Sequence, residues 1–150
     1  MDLILWRHAE AEDGIPDQAR ELTAKGVKQA EKIAAFLHQH LPADTRILVS
    51  PTARTRQTVA ALTEHFTLAP TIAPDASAEA VLHAARWPDA GGTVLVVGHQ
   101  PTLGNVAAQL LACADETLSI RKGALWWFNR RDRDGLAQTT LRLVITPDFL

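Results

Sequence analysis

The chain has a single cysteine, Cys113, and no apolar stretch that approaches the ~20 residues of a membrane span. One cysteine cannot form an internal disulfide, so we expect a reducing, cytoplasmic setting. The first residues lack a basic segment followed by a long apolar run, and we therefore expect no signal peptide. The net charge is only -2, which favours neither a nucleic-acid partner nor a membrane surface.

The remaining composition is that of an ordinary globular protein. The chain has 150 residues, of which 47% are hydrophobic and 21% are charged. This length suits one domain with one core, so we expect a single domain over residues 1–150.

Short apolar runs alternate with helical periodicities along most of the chain. The predicted strands cover residues 3–6, 47–49 and 93–97, with a weaker strand at 71–73. One predicted helix has Thr23 as its N-cap and ends before Pro42, and a second begins at Ser50-Pro51 with Ser50 as its cap. Two further helices are predicted at 76–87 and 101–113, whereas the polar residues 9–21 are predicted to form a loop.

The C-terminal part of the sequence changes to a β pattern. Residues 125–130 and 139–145 are rich in β-forming side chains, and Asp134-Gly135 between them is typical of a hairpin turn. Strands that alternate with helices favour a mainly parallel sheet with helices on both faces. We therefore predict an α/β fold, a three-layer αβα sandwich with a mainly parallel central sheet and a C-terminal antiparallel hairpin.

Polar side chains follow three of the predicted strands directly. Arg7 and His8 come after the first strand, residues 50–54 after the second, and His99 after the strand at 93–97. In open α/β sheets, ligands bind beyond the carboxyl ends of the strands. We therefore expect Arg7, His8, Arg54 and His99 to meet at one rim. Arg56 lies about 200° from Arg54 around the helix, so we expect it to face solvent.

Two guanidiniums and two imidazoles in one pocket suit a phosphoryl group. The predicted helix N-termini near Ser50 and Pro101 would add backbone N–H donors. A neutral imidazole can attack phosphorus, and neighbouring arginines keep it neutral. No obvious carboxylate cluster lies among these residues, so we expect neither a metal nor another cofactor. Glu10 and Glu12 beside His8 are the alternative metal ligands, but they occupy a loop next to cations.

Three motifs in this order resemble the histidine phosphatase superfamily, which is also called phosphoglycerate mutase-like. They are Leu-Trp-Arg-His-Ala-Glu at 5–10, Ser-Pro-x-x-Arg-x-x-Gln-Thr at 50–58, and an apolar strand that ends in Gly-His at 98–99. The segment Leu-Thr-x-x-Gly-x-x-Gln-Ala at 22–30 is also similar to that family. The resemblance covers residue 3 to about residue 112, and it implies a phosphoglycerate mutase-like fold.

The short chain, and Arg20 just before the Leu-Thr segment, resemble the SixA-type phosphohistidine phosphatases in particular. That resemblance implies that His8 is the phosphorylated nucleophile. It also implies that Arg7, Arg54, His99 and Arg20 hold the phosphoryl oxygens. The expected activity is metal-independent hydrolysis of phosphohistidine in a partner protein.

The substrate depends on whether the site has an acid. An alkoxide is a poor leaving group, and its departure requires a proton donor. Only Asp75 and Glu79 are candidates for that donor, and neither lies in a recognisable motif. A histidine imidazole leaves more readily because its ring nitrogen is protonated near neutral pH. We therefore expect phosphohistidine as the substrate, with small phosphomonoesters or sugar phosphates as the alternative. A third possibility is that the protein is a non-catalytic module that binds phosphorylated partners.

Overall fold

The computed structural model describes residues 1–113 and 117–150. The strands and helices, in chain order, are β1 (Asp2–Arg7), α1 (Ala24–His40), β2 (Arg46–Val49), α2 (Ala53–Ala60), β3 (Thr67–Leu68), α3 (Ala78–Ala85), β4 (Thr93–Gly98), α4 (Thr102–Leu110), β5 (Leu125–Arg133) and β6 (Leu136–Ile145). Short 3₁₀ turns lie at Asp17–Ala19, Pro70–Ile72 and Pro147–Phe149. None of the described helices is long and apolar enough to cross a membrane.

The strands form one six-stranded sheet in the order β3-β2-β4-β1-β5-β6. The first four strands in that order are parallel, whereas β5 and β6 are antiparallel and are joined at Asp134 and Gly135. Helices α1 and α2 contribute to the core on one face of the sheet, and α3 and α4 to the core on the other. The predicted three-layer sandwich with a C-terminal hairpin is confirmed.

Strand β1 lies inside the sheet, and both of its faces are buried. Leu3 and Leu5 point into the core shared with α3 and α4, whereas Ile4 and Trp6 point into the core shared with α1 and α2. All four side chains have no exposed surface. The sequence of such a strand is a continuous apolar run rather than an alternating one. The strand also fixes the position of the two polar residues at its end, Arg7 and His8.

The predicted cap of α2 is wrong. Thr52, not Ser50, is the N-cap, and it forms a reciprocal capping box with Thr55. The helix therefore begins at Ala53, beyond Pro51. Ser50 is unavailable as a cap because its hydroxyl lies 2.7 Å from Nε2 of His99. The local pattern Ser-Pro is typical of a helix start, but here a tertiary hydrogen bond takes the serine.

The predicted strand at 71–73 is also wrong. The edge strand β3 lies four residues earlier, at Thr67–Leu68, where it pairs with Leu48 and Val49 of β2. Residues Pro70–Ile72 form a 3₁₀ turn, with Pro70 at its start. Proline has no N–H for a sheet ladder, so the chain turns at this residue.

Gly26 lets α1 approach the loop that follows β1. A Cβ atom on Gly26 would overlap the carbonyl oxygen of Glu10, and that oxygen also accepts a hydrogen bond from the backbone N of Thr23 at 3.0 Å. Gly26 is buried, whereas its neighbour Val27 is 44% exposed. The N-terminus of α1 is therefore positioned by contact between two backbones.

We expect Gly26→Ala to lower the free energy of unfolding by roughly 1–3 kcal/mol, the usual cost of overpacking. Urea unfolding of the two proteins measures this difference. In an open helical position, alanine would instead stabilise the protein by about 1 kcal/mol. The sign of the change in unfolding free energy therefore distinguishes a close contact from an open position. A variant more stable than the wild type would contradict the close contact between Gly26 and Glu10.

Candidate active site

The two histidines come together because their strands are neighbours. Strand β1 pairs with β4 so that Arg7 lies opposite Gly98, and His8 and His99 directly follow. The backbone N of His8 donates to the carbonyl of Gly98 at 3.0 Å, which holds the two strand ends together. The imidazole centroids are 5.3 Å apart, with the rings tilted at 56°.

The third strand of the group, β2, leads to Arg54 on the first turn of α2. The side chain of Arg54 is buried, and its Nη2 lies 3.3 Å from Nδ1 of His99. Arg56, two residues on, is exposed, as its position on the opposite side of the helix predicts. Arg7 donates from Nη1 to the carbonyl of Ile120 at 2.8 Å, so the protein uses only part of its donor set.

A cavity of about 270 Å³ joins these groups at the carboxyl ends of the strands. All five residues that the sequence indicated line it, together with two carboxylates and a lysine that the motifs did not select. Those eight residues are Arg7, His8, Asp17, Arg20, Arg54, Asp75, His99 and Lys122. The structure thus brings the predicted side chains to one cavity that is small and rich in cations.

Hydrogen bonds assign a different state to each imidazole. Nδ1 of His8 lies 2.7 Å from the carbonyl oxygen of Ala9, and it must carry a proton to donate to that acceptor. Nε2 of neutral His8 therefore keeps its lone pair, and no described residue forms a hydrogen bond with it. Both nitrogens of His99 are engaged, because Arg54 donates to Nδ1 and Nε2 lies beside the Ser50 hydroxyl. Of the two rings, only that of His8 presents a free lone pair.

Burial and neighbouring cations keep both imidazoles uncharged. Burial lowers the pKa of His8 to about 4, and the charges of Arg54, Arg7 and Arg20 act in the same direction, while the hydrogen bond to Ala9 opposes them. Burial likewise lowers the pKa of His99 to about 3, with His8 and Arg54 adding to the effect. At pH 7 the site therefore holds two neutral rings among guanidiniums, which is the state that a nitrogen nucleophile needs.

These lowered pKa values predict that the protein loses stability as the pH falls from about 6.5. An unfolded histidine binds a proton near pH 6.5, whereas His8 in the folded protein does so only near pH 4. Between those values the unfolded state binds more protons, so acid favours unfolding. At pH 4.5 the cost is roughly 2–3 kcal/mol for each buried ring.

Urea unfolding at pH 7 and pH 4.5, in a buffer without phosphate, measures this loss. His8→Gln removes one of the two rings, so its loss of stability over this range should be smaller by about 2–3 kcal/mol. His38→Gln, which replaces an exposed histidine of α1, should leave the loss unchanged. Equal losses in all three proteins would contradict neutral burial of His8.

Sequence reasoning missed Lys122 and Asp17 of this site, and Asp17 makes the contacts with its arginines. Its carboxylate lies 3.1 Å from Nη2 of Arg54 and 3.1 Å from Nη1 of Arg20, so it bridges the two guanidiniums. Arg20 also donates from Nε to the carbonyl of Glu12 at 2.7 Å. Asp17 belongs to a 3₁₀ turn in a polar loop, and no motif or periodicity in the sequence distinguishes it from the other acids nearby.

The two acids that the sequence offered as proton donors occupy different places. Asp75 lines the cavity, at an exposed position with a left-handed backbone φ of 68°. Glu79 lies on α3, where its Oε1 accepts a hydrogen bond from Gln109 of α4 at 2.9 Å. Glu79 does not line the cavity, so Asp75 is the candidate acid that the structure retains.

Comparison with known protein sequences is consistent with a cavity built around two histidines and several arginines. Residues 3–77 match the family model of the histidine phosphatase superfamily, branch 1. An uncharacterised protein of Mycobacterium tuberculosis is 33% identical over 125 residues, which cover 76% of this chain and 75% of that protein. The chain belongs to the histidine phosphatase superfamily. Its similarity to solved structures places it with the SixA type within that superfamily.

Two SixA structures illustrate that similarity. The protein histidine phosphatase SixA in complex with tungstate has a TM-score of 0.79 and 25% identity, and the match covers 99% of each chain. A SixA structure from Nakamurella multipartitia has a TM-score of 0.77 and 28% identity, over 97% of this chain and 95% of that one. A phosphoserine phosphatase of Entamoeba histolytica shares the fold, with a TM-score of 0.71 at 16% identity over 99% and 98% of the two chains.

Proposed function

We propose that this protein is a phosphatase that removes the phosphoryl group from phosphohistidine in a partner protein, with His8 as the nucleophile. One observation carries the proposal. His8, whose Nε2 has a free lone pair, lines a small cavity together with Arg7, Arg54 and His99. A tetrahedral anion with several oxygens matches the N–H donors of two arginines.

The reaction proceeds in two displacements. Nε2 of His8 attacks phosphorus, a new P–N bond forms, and the P–N bond of the substrate breaks as its imidazole leaves and takes up a proton. Water then attacks the phosphoryl group on His8, which gives inorganic phosphate and returns neutral His8. In both steps, guanidiniums stabilise the charge on the equatorial oxygens without having to reorganise.

Within residues 1–113 and 117–150, both carboxyl groups that line the cavity are exposed, and this supports phosphohistidine as the substrate. Asp75 is exposed, whereas many catalytic acids lie in hydrophobic surroundings. A phosphohistidine imidazole needs no strong acid to leave, because its ring nitrogen takes up a proton near neutral pH. A site of this kind is better suited to cleaving P–N bonds than the P–O bonds of alkyl phosphates.

A second candidate function is hydrolysis of small phosphomonoesters, and the position of Asp75 favours it. A carboxyl group that lines the phosphate cavity is placed to protonate a departing alkoxide. The two candidates share the nucleophile and differ in what Asp75 does.

A substrate panel separates the two functions. We expect the highest kcat/KM with a phosphohistidine peptide, less with an aryl phosphate, and the least with phosphoserine and sugar phosphates. Asp75→Asn should change kcat/KM for phosphohistidine by less than about threefold, because no proton from Asp75 is needed. Glu79→Gln is the matched control, since that acid lies outside the cavity.

Two results would contradict the proposal. Faster turnover of alkyl phosphates, with a loss of roughly 10²-fold or more in Asp75→Asn, would establish the second function. Binding of phosphohistidine peptide without any turnover would instead indicate a recognition module.

A further inference from the structure

All four lysines of the chain line one cavity of about 670 Å³ beside α1, apart from the cavity that holds both histidines. Two arginines line it as well. We call this cavity the lysine groove and define it by its six cations, Arg7, Lys25, Lys28, Lys32, Arg121 and Lys122. A chain with a net charge of -2 thus concentrates much of its positive charge in one concave place.

The stability of α1 does not explain why three of the lysines lie on this helix. Lys25, Lys28 and Lys32 follow one another at spacings of three and four residues, where like charges destabilise a helix by a few tenths of a kcal/mol per pair. Lys25 also lies in the first turn, near the positive end of the helix dipole, and that turn contains no acidic residue. The two like-charge pairs and the position of Lys25 therefore do not stabilise α1.

The protein neutralises these cations only slightly. Across residues 1–113 and 117–150, every side-chain ion pair uses an arginine, and the four lysines are exposed. Two carboxylates line the lysine groove, and one of them, Glu10, accepts a hydrogen bond from Thr23 at 2.9 Å. Asp148 is the other, so the groove carries a net positive charge and suits an anionic partner.

The lysine groove adjoins the candidate active site. Arg7 and Lys122 line both cavities. Gly123, with a φ of 74°, packs closely against Pro147, which a Cβ atom there would meet at 2.9 Å, and such an atom would lie in van der Waals contact with Gln29 of α1 at 3.4 Å. The backbone N of Gly123 also donates to the carbonyl of His8 at 3.0 Å. A ligand in the groove would therefore lie directly beside the phosphoryl group on its way to His8.

We propose that the lysine groove docks a carboxylate-rich surface of the protein that carries the phosphohistidine. Lysine ammoniums are compact and strongly hydrated charges, which suit carboxylates spread over a surface, whereas arginine forks suit a single phosphate. The three lysines of α1 extend over about 10 Å, the reach of a short acidic segment. In its choice of partner this inference rests on the proposed function, and it adds what surrounds the phosphohistidine in the substrate.

Exposed charges act mainly by steering association. The contribution of the lysine groove should therefore appear in kcat/KM, and it should become smaller as the salt concentration rises. The test uses two phosphohistidine peptides of equal length, one flanked by aspartate and glutamate and the other by serine. We expect the wild type to prefer the acidic peptide by about tenfold at low ionic strength. Lys25→Glu/Lys28→Glu should abolish that preference and leave kcat/KM for the serine peptide within about threefold.

The charge-reversed protein is expected to fold, because glutamate at position 28 precedes Lys32 by four residues, which is a favourable pair. Arg131→Glu/Arg133→Glu is the matched control. It makes the same change in net charge at exposed positions of the β5–β6 hairpin, outside the groove, and should keep the preference for the acidic peptide.

Binding of the unphosphorylated acidic peptide, followed by fluorescence anisotropy, tests the groove independently of catalysis. Binding that Lys25→Glu/Lys28→Glu abolishes would support the groove even if phosphohistidine were not the substrate. Equal kcat/KM for the two peptides in the wild type would overturn the inference, as would a preference that survives charge reversal. Tripolyphosphate that displaces the acidic peptide at far lower concentrations would also overturn it and identify a small polyanion as the ligand.

Discussion

His8→Asn should lower kcat/KM for a phosphohistidine peptide by roughly 10⁴-fold or more, because it removes the atom that forms the covalent bond. Asparagine keeps a short polar side chain next to Ala9 but has no counterpart of Nε2. The arginines that bind the phosphoryl group are unchanged, so the variant should still bind inorganic phosphate. Steady-state rates and a phosphate-dependent thermal shift measure the two properties.

His99→Asn is the comparison for this variant, since it replaces the other buried imidazole of the site. His99 has no free lone pair in the structure, so its loss removes a supporting group and leaves the nucleophile. We expect a smaller decrease, roughly 10²- to 10³-fold. Equal losses in the two variants, or substantial activity in His8→Asn, would contradict the assignment of the nucleophile.

Arg54→Ala should lower kcat/KM by roughly 10²- to 10³-fold, the typical cost of removing one preorganised donor. The side chain is buried, and it contacts both Asp17 and His99. Arg54→Lys should recover only part of the activity, because an ammonium cannot make the paired hydrogen bonds of a guanidinium.

A pH profile distinguishes this effect from a general loss of structure. The charge of Arg54 lowers the pKa of His8, so its removal should raise that pKa and move the acidic limb of kcat/KM to higher pH. Arg56→Ala, two residues away and exposed, should leave both the rate and the profile within about twofold of the wild type. A comparable loss in Arg56→Ala would show that α2, rather than one guanidinium, is responsible.

Most of the fold was predictable because hydrophobic runs and breaker residues determine it locally. The apolar run before Arg7 predicts a buried strand, and the rule on strand ends then places His8 near His99 and Arg54. That rule succeeded across about 90 residues of separation because parallel pairing brings strand ends to one edge regardless of distance in the chain.

The remaining features depend on tertiary contacts that a local pattern does not contain. Ser50 lies in a sequence typical of a helix cap, yet its hydroxyl forms a hydrogen bond with a histidine 49 residues away. Asp17 contacts Arg54 only when the loop folds over α2, and Lys122, about 90 residues from the lysines of α1, lines the same cavity only in the folded chain. A pattern of residue types does not show which of several possible hydrogen bonds will form, or which charged side chains will come together.

The most direct test of the account is to identify the phosphorylated atom. The wild-type protein is mixed with a phosphohistidine peptide, quenched within milliseconds in alkali, digested and analysed by mass spectrometry. We predict one transient phosphoryl group on His8, stable in alkali and lost in acid, and none in His8→Asn. A phosphoryl group on any other residue, or turnover with no phosphoryl-enzyme at any time, would contradict the central claim.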